Sequence, residues 1–163
     1  MFASLRASVQ RVAISNIIAM MLMIGLAAAG AAVYYVAVTS YLKPQPGLSP
    51  EVTISVGASG FTVVSAQMVN TGGIPFTSLT ITITGPSSSQ LQISYSSQLS
   101  ANGGRATITV EGVSGGPYSP VSGNTVVSGN LVAAVGSSYS VVVVATTTSG
   151  ATYSQSFSVQ AMP

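Results

Sequence analysis

Two patterns of hydrophobic and polar residues divide the chain. Residues 12 to 42 contain no charged residue and are mostly apolar, whereas beyond residue 51 apolar residues alternate with Ser, Thr or Gln. A continuous apolar run of this length predicts a helix that lies in lipid or in a protein core. Alternation with a period of two predicts β-strands that bury one face. We therefore expect a long N-terminal helix, a boundary, and a domain of strands.

The predicted helix is longer than a bilayer requires. From Ile14 to Leu42 it would extend roughly 43 Å, against roughly 30 Å for the hydrocarbon core of a membrane. Arg6 and Arg11 precede the apolar run, and this arrangement resembles a membrane-insertion signal with a cytoplasmic N-terminus. A cleaved signal peptide has an apolar region of about 7 to 15 residues, so we expect this longer run to persist in the mature protein. A single-pass anchor that tilts is the alternative, but the excess length favours a helix with a second location.

A proline-rich segment separates the two patterns. Residues 43 to 50 contain three prolines and Gly47, which do not continue a helix and favour an extended backbone. We expect a short, stiff linker that restricts the angle between the two parts, which suits a repeated lattice better than a flexible tether does.

The C-terminal part carries a strand pattern throughout. At 163 residues and 47% hydrophobic content, the chain is long enough for one domain with a core and an extension. Seven or eight strands without intervening helices predict an antiparallel immunoglobulin-like β-sandwich, and hence an α+β fold class. The Val141 to Val144 run predicts a central strand covered on both faces. The predicted strands lie at about 52–56, 61–69, 79–84, 91–95, 105–111, 124–133, 138–148 and 152–161.

The charge content excludes several classes of function. There is no His and no Cys, and the two acidic residues are sixty positions apart, so we expect no catalytic site, no metal site and no cofactor. A net charge of +2 without a basic stripe argues against nucleic-acid binding. The absence of Cys leaves the compartment open. The charged residues are Arg6, Arg11, Lys43, Glu51, Arg105 and Glu111.

The predicted strands place Ser, Thr and Gln at outward positions where most proteins have Lys and Glu. The many hydroxyls offer sites for O-linked sugars, and an unmodified polar surface is the alternative. No Asn-X-Ser/Thr sequence occurs, so N-glycosylation at that motif is not expected.

The start of the apolar run resembles the N-terminus of archaeal type IV pilins. In that family a basic and a small residue precede the prepilin peptidase cut, and the mature helix opens with a hydrophobic-Ser-X-hydrophobic sequence. Ser15 and the apolar run from residue 17 match this pattern. Asn16 stands where one branch of the family often has Pro, and Val12 is larger than the usual Gly or Ala. The resemblance implies leader processing at Arg11, Val12 and Ala13, with the cut after Val12 or one residue later.

The order of segments is also similar to that family. Residues 69 to 75 look like the Asn-X-Gly turn of pilin β-domains, which is a weak signal alone because Asn and Gly occur in turns generally. The implied organisation is a leader at 1–12, a filament-core helix at 13–42, a linker at 43–50 and a surface sandwich at 51–163. Small residues in the helix would allow close helix approach, with ordinary helix filler as the alternative. These residues are Gly25, Ala28, Ala29, Gly30, Ala31 and Ala32.

The resemblance implies a major pilin, the structural subunit of an extracellular archaeal type IV pilus that serves adhesion or cell-cell contact. Its implied partners are identical subunits, the prepilin peptidase and the pilus assembly machinery, and the cytoplasmic membrane holds the chain before assembly. A membrane-anchored binding or adhesion module is the rival interpretation, although the absence of Trp and the few charges do not fit a solute-binding cleft. An archaellin-type filament subunit is a third interpretation.

Overall fold

A computed structural model describes the backbone of residues 2–121 and 123–163, and side chains within that part from residue 16 onward. Within these residues, one α-helix is followed by nine strands and two short 3-10 turns, Ala58–Gly60 and Pro86–Ser88, so the predicted α+β fold class is confirmed. The helix and the sandwich form separate compact units that divide between Lys43 and Pro44. The elements are α1 (Phe2–Tyr41), β1 (Leu48–Val56), β2 (Phe61–Asn70), β3 (Phe76–Thr84), β4 (Gln90–Tyr95), β5 (Arg105–Val113), β6 (Tyr118–Pro120), β7 (Thr125–Asn130), β8 (Ser138–Thr147) and β9 (Thr152–Gln160).

The strands form two antiparallel sheets. One sheet has the order β1-β2-β5-β6, and the other has the order β7-β4-β3-β8-β9. Pairing of β1-β2-β5 in one sheet and of β4-β3-β8-β9 in the other is that of an immunoglobulin-type sandwich. The strands β6 and β7 are inserted between the fifth and eighth strands and extend one sheet each. The sandwich is therefore immunoglobulin-like with one added strand on either sheet.

The core lies between the two sheets because the alternating pattern aligns across strands. In the four-stranded sheet, Ile54, Val64 and Ile108 are fully buried on the inner face. Ile81 and Val141 of the five-stranded sheet are fully buried opposite them. Two apolar inner faces packed in this way form the core of a β-sandwich. The largest fully buried side chains are those of Tyr139, Phe76, Ile54, Met68, Leu79, Ile81, Ile83, Leu91, Ile93, Ile108, Leu131 and Val64.

Two features of the strands differ from the sequence-based expectation. The described residues form nine strands instead of the seven or eight predicted. The pattern does not predict β6 because its three residues are too few to show alternation. The expectation that both faces of the Val141 to Val144 run are covered is wrong. Val141 and Val143 are buried, whereas Val142 and Val144 on the outer face are only half-buried. Neighbouring strands β3 and β9 flank these valines on both sides. β-Branched side chains fit such a half-buried surface, and no further layer is needed to cover them.

Part of the predicted linker belongs to the sandwich. The C=O of Gly47 accepts hydrogen bonds from the N–H groups of Thr71 and Gly72 at 3.0 and 3.2 Å. The C=O of Gln45 accepts one from Gly73 N–H at 3.0 Å. Strand β1 already begins at Leu48, inside the predicted 43–50 segment. An edge strand tolerates Pro50 because its missing N–H costs no ladder bond there.

Asn70 holds the turn that precedes β3. Its side chain is fully buried, and its Nδ2 donates to the C=O of Ile74 at 2.8 Å and to that of Leu99 at 3.4 Å. Its Oδ1 accepts a hydrogen bond from Gly72 N–H at 3.0 Å. A Cβ on Gly72 would overlap the backbone of Gly47. Asn70 and Gly72 therefore join the turn to the chain entering β1 and to the loop before β5.

The end of the described chain closes the sandwich at the β1 edge. Met162 N–H donates to Ile54 C=O at 2.9 Å, and Val56 N–H donates to Met162 C=O at 2.8 Å. These bonds form a parallel bridge between Ser55 and Met162. The segment after β9 thus connects the two sheets.

Candidate assembly helix and the faces of the sandwich

The helix is apolar around its whole circumference. An 18-residue stretch within residues 16–41 has a mean hydropathy of 2.2, and none of it is buried. Every large apolar side chain from Ile17 to Val36 is more than half exposed. Residues 21 to 24 are all large and apolar, and at about 100° per residue they point to all sides. A helix that is hydrophobic all round needs an apolar environment, and this one is long and apolar enough to cross a membrane.

The predicted helix-packing residues do not share one face. Gly25, Ala29 and Ala32 lie along one side within an arc of about 60°, whereas Gly30 is displaced from that side by more than about 90° and Ala28 lies on its flank. A Cβ on Gly25 or Gly30 would meet no atom within 4 Å. The gap at Gly25 is a shallow concavity whose lining residues are Ile18, Met21, Leu22, Gly25, Leu26 and Ala29. Close packing through these residues remains a prediction.

Hydroxyl groups near the end of the helix are bonded within the helix itself. Thr39 Oγ1 donates to the C=O of Tyr35 at 2.8 Å and approaches that of Val36 at 3.1 Å. Ser40 Oγ donates to Val36 C=O at 2.7 Å. Because these donors have intrahelical acceptors, the last turns need no water to satisfy them.

Three tyrosines mark the same end of the helix. Tyr34, Tyr35 and Tyr41 are among the most exposed side chains of the helix, with Tyr41 90% exposed. Tyrosine combines an apolar ring with a polar hydroxyl and is enriched where hydrocarbon meets water. These residues are not among the site residues predicted from the sequence. The signal was present, since three of the seven tyrosines of the chain occur within eight residues at the end of the apolar run.

The residues expected to direct leader processing are Arg11, Val12 and Ala13. Their backbone belongs to the helix that begins at Phe2. Their side chains lie outside the part of the structure that is described, so processing at this site remains a prediction.

All charged residues of the strands lie on the outer face of one sheet. Glu51, Arg105 and Glu111 are exposed and occupy odd positions in β1 and β5, whereas the buried residues of these strands are at even positions. The outer face of the five-stranded sheet carries Ser, Thr, Gln, Asn and Val only. Among the residues of that sheet that the structure describes, no side chain carries a charge. The sandwich therefore has one charged and one uncharged broad face.

The acidic residues are not brought together. Glu51 lies opposite Gln67 and Glu111 lies opposite Val63, so they differ by four positions along β2, about 13 Å. Within the described part of the chain, no three His, Cys, Asp or Glu residues form a group that could hold a metal ion.

Among the described residues, the fold shifts the titration of Tyr118 in β6. Its hydroxyl donates to Leu131 C=O at 2.9 Å. Burial raises the pKa of Tyr118, a hydrogen bond with Thr62 opposes this, and the nearby Tyr139 adds to the increase. The same Leu131 C=O also accepts Gly115 N–H at 2.8 Å. This arrangement stabilises the connection between β7 and β8 and offers no reactive group.

Comparison with known proteins assigns no family. No protein-family model matches this chain, and no curated protein matches it either.

Proposed function

We propose that the chain is a non-enzymatic structural subunit of an extracellular filament of the archaeal type IV pilus class. Its helix would pack with the helices of identical subunits, and its sandwich would form the filament surface. The filament would serve adhesion or cell-cell contact. Before assembly, the helix would hold the subunit in the cytoplasmic membrane, where a prepilin peptidase would remove residues 1–12.

The exposed apolar helix is the observation that carries this proposal. None of the 16–41 segment is buried, while the sandwich builds its own core from both sheets. A helix with this surface is stable only against lipid or other apolar helices. Transfer from one of these surroundings to the other requires little desolvation, because both are apolar.

Length and side-chain size favour a second location over a simple anchor. The 26 residues from Asn16 to Tyr41 extend about 39 Å, beyond the roughly 30 Å of a bilayer core. Small residues on one side let helix backbones approach closely, and a helix that contacts only lipid gains nothing from them. The rival proposal, a single-pass anchor for a surface binding module, requires only the membrane-spanning property.

Electron microscopy of native material sheared from cells tests the proposal. We expect filaments whose subunit mass corresponds to a chain that begins at Ala13, measured by mass spectrometry of the same fraction. Discrete particles found only in the membrane fraction would contradict the filament and favour the anchored module. Filaments composed of chains that still begin at Met1 would contradict leader processing alone.

A further inference from the structure

One edge of the sandwich lacks the features that normally protect a strand edge. Edge strands are usually short or carry Pro, charges or bulges that prevent pairing with another chain. Of the four edge strands, β1 contains Pro50 and is bridged by Met162. Strand β6 has three residues and ends at Pro120, and β7 contains Gly129 at φ 88°. In contrast, β9 has nine residues with no Pro, Gly or charge, and it pairs with β8 without a register shift.

The free backbone groups of β9 form a regular row. Thr147 N–H donates to Ala151 C=O, and Ala161 N–H donates to Ser137 C=O. Because bonding residues alternate in an antiparallel ladder, the odd residues between these points bond to β8 and the even residues face the open edge. Within the described residues, β9 pairs with no strand other than β8. The even residues are Thr152, Ser154, Ser156, Ser158 and Gln160.

The apolar layer of the sandwich continues to this edge without being fully covered there. Tyr139, Val141 and Ala145 in β8 are buried, whereas their β9 neighbours Val159, Phe157 and Tyr153 are only half-buried. These three side chains pack against the core on one side. A further strand beside β9 would cover their other side.

We propose that β9 pairs antiparallel with β9 of a second copy of this chain, with the two-fold axis at Ser156. The free N–H and C=O groups belong to even-numbered residues, so an even residue of one copy must lie opposite an even residue of the other. All five even residues are paired only when Ser156 lies opposite Ser156 of the second copy. Ser154 then lies opposite Ser158 of the second copy, and Thr152 opposite Gln160. Each of the five opposed pairs exchanges two hydrogen bonds, and the two five-stranded sheets become one continuous sheet.

The inner face of this pairing selects a second copy as the partner. In the same register, Tyr153 lies opposite Val159 of the second copy, and aromatic and β-branched side chains form favourable cross-strand pairs. No charge occurs in β9, so the two-fold opposes no like charges. A two-fold contact is self-complementary and closed. It therefore joins two subunits and cannot be repeated along a filament whose subunits all point the same way. The two subunits that it joins would belong to two adjacent filaments.

A cysteine cross-link tests the register on the full-length protein in detergent micelles. Opposed hydrogen-bonded residues have Cα atoms about 5.5 Å apart, within the range of a disulfide. The chain has no Cys, so each variant introduces the only thiol. Under mild oxidation, we expect most of Ser156→Cys to form a disulfide-linked dimer. Ser140→Cys is the matched control because Ser140 is also exposed, on the same outer face in the adjacent strand β8, but lies far from its counterpart.

A charge variant provides a second measurement that does not depend on oxidation. Ser156→Lys would oppose two ammonium groups across the axis and should weaken dimer formation by about tenfold in analytical ultracentrifugation. Ser128→Lys, at an exposed position of edge strand β7, should leave dimer formation unchanged. Equal cross-linking of Ser156→Cys and Ser140→Cys, or a dimer unaffected by Ser156→Lys, would overturn the proposal. Neither measurement requires filaments, so the edge pairing and the filament proposal stand or fail separately.

Discussion

At the residue scale, Asn70 is the side chain on which most of the turn geometry depends. It bonds Gly72 N–H, Ile74 C=O and Leu99 C=O from a fully buried position. Asn70→Ala would remove all three bonds. Gly72 N–H keeps its bond to Gly47 C=O and Leu99 C=O keeps its bond from Phe76 N–H, so the loss is that of the side-chain bonds themselves, each worth about 0.5 to 1.5 kcal/mol. We expect the free energy of unfolding to fall by at least about 2 kcal/mol, measured by urea denaturation.

The matched control for Asn70 is Gln67→Ala, because Gln67 is also an amide in β2 but is exposed. Its replacement should change the free energy of unfolding by less than about 0.5 kcal/mol. Equal effects of the two substitutions would show that the bonds of Asn70 contribute little to stability.

Tyr118 gives the sandwich a specific sensitivity to alkali. Burial is the main cause that raises its pKa above the usual 10.0, so the native state retains this proton more strongly than the unfolded state does. As pH rises above about 10, the unfolded state loses its proton first, and stability declines until the native pKa is passed. Thermal denaturation at pH 8 and pH 11 should therefore show a larger loss for the natural chain than for Tyr118→Phe.

The Phe variant isolates the titration because it disturbs little else. Leu131 C=O keeps its bond from Gly115 N–H, so the variant should lose only about 1 kcal/mol at pH 8. An identical decline between pH 8 and pH 11 would show that the burial of Tyr118 is not coupled to alkaline unfolding.

At the scale of elements, one substitution in the helix distinguishes a filament subunit from a membrane anchor. Leu is at least as compatible with lipid as Ala, so Ala29→Leu should leave membrane insertion intact. In a helix bundle the same change fills the concavity at Gly25 that Ala29 helps to line, and overpacking costs about 1 to 3 kcal/mol per site. We expect the ratio of subunit in sheared filaments to subunit in membranes to fall by about tenfold.

The control for Ala29→Leu is Ala27→Leu, which adds the same volume about 160° around the helix. It should reduce filament yield less than Ala29→Leu does. Filament yield unchanged by Ala29→Leu would rule out close packing along this side. Ala28→Leu, on the flank of that side, should also lower filament yield while leaving membrane insertion intact.

Local patterns explain which elements were predictable. The long strands β1, β2, β3, β5 and β8 show alternation because each buries one face in a core shared by two sheets. Strand β9 shows it because its half-buried apolar residues pack against that core. Strand β6 contributes a single buried residue, Tyr118. A single buried residue cannot show a periodic pattern, so the sequence did not predict this strand. The docking of residues 45 and 47 depends on N–H groups at residues 71 to 73, which no local pattern reveals. The free edge of β9 likewise depends on strand order rather than on its own sequence.

The candidate site was predictable only in outline. Absence of charge and the length of the apolar run are properties of the sequence, and both are retained in the structure. Two further facts are needed to place Glu51, Arg105 and Glu111 on one broad face. They are the face of the strand that each residue occupies and the sheet to which each strand belongs. The face that a residue occupies can be read from the alternation of apolar residues, but the sheet that a strand joins is set by long-range pairing.

At the scale of the whole molecule, the small number of acidic groups predicts unusual tolerance of acid. Glu51 and Glu111 are the only acidic side chains and both are exposed, where charge interactions contribute little to folding. Between pH 7 and pH 3, the free energy of unfolding should change by less than about 1 kcal/mol. Urea denaturation at both pH values measures this change.

The double variant E51Q/E111Q removes both carboxylates and should behave like the natural chain at pH 7 and at pH 3. A cooperative acid transition in the natural chain that the double variant lacks would show strong coupling between a carboxylate and the fold, contrary to this expectation.

The bridge between Ser55 and Met162 has a consequence for the order of events during biosynthesis. Strand β1 obtains its outer partner from a residue more than a hundred positions later, so the sandwich remains open until residue 162 has left the ribosome. Pairings this distant in sequence also form slowly. The apolar helix, in contrast, needs only local hydrogen bonds and is made first. Under the proposed function, the nascent chain would therefore present its helix to a membrane while the remainder is still unfolded, and an unfolded chain is narrow enough to be threaded through a translocation pore.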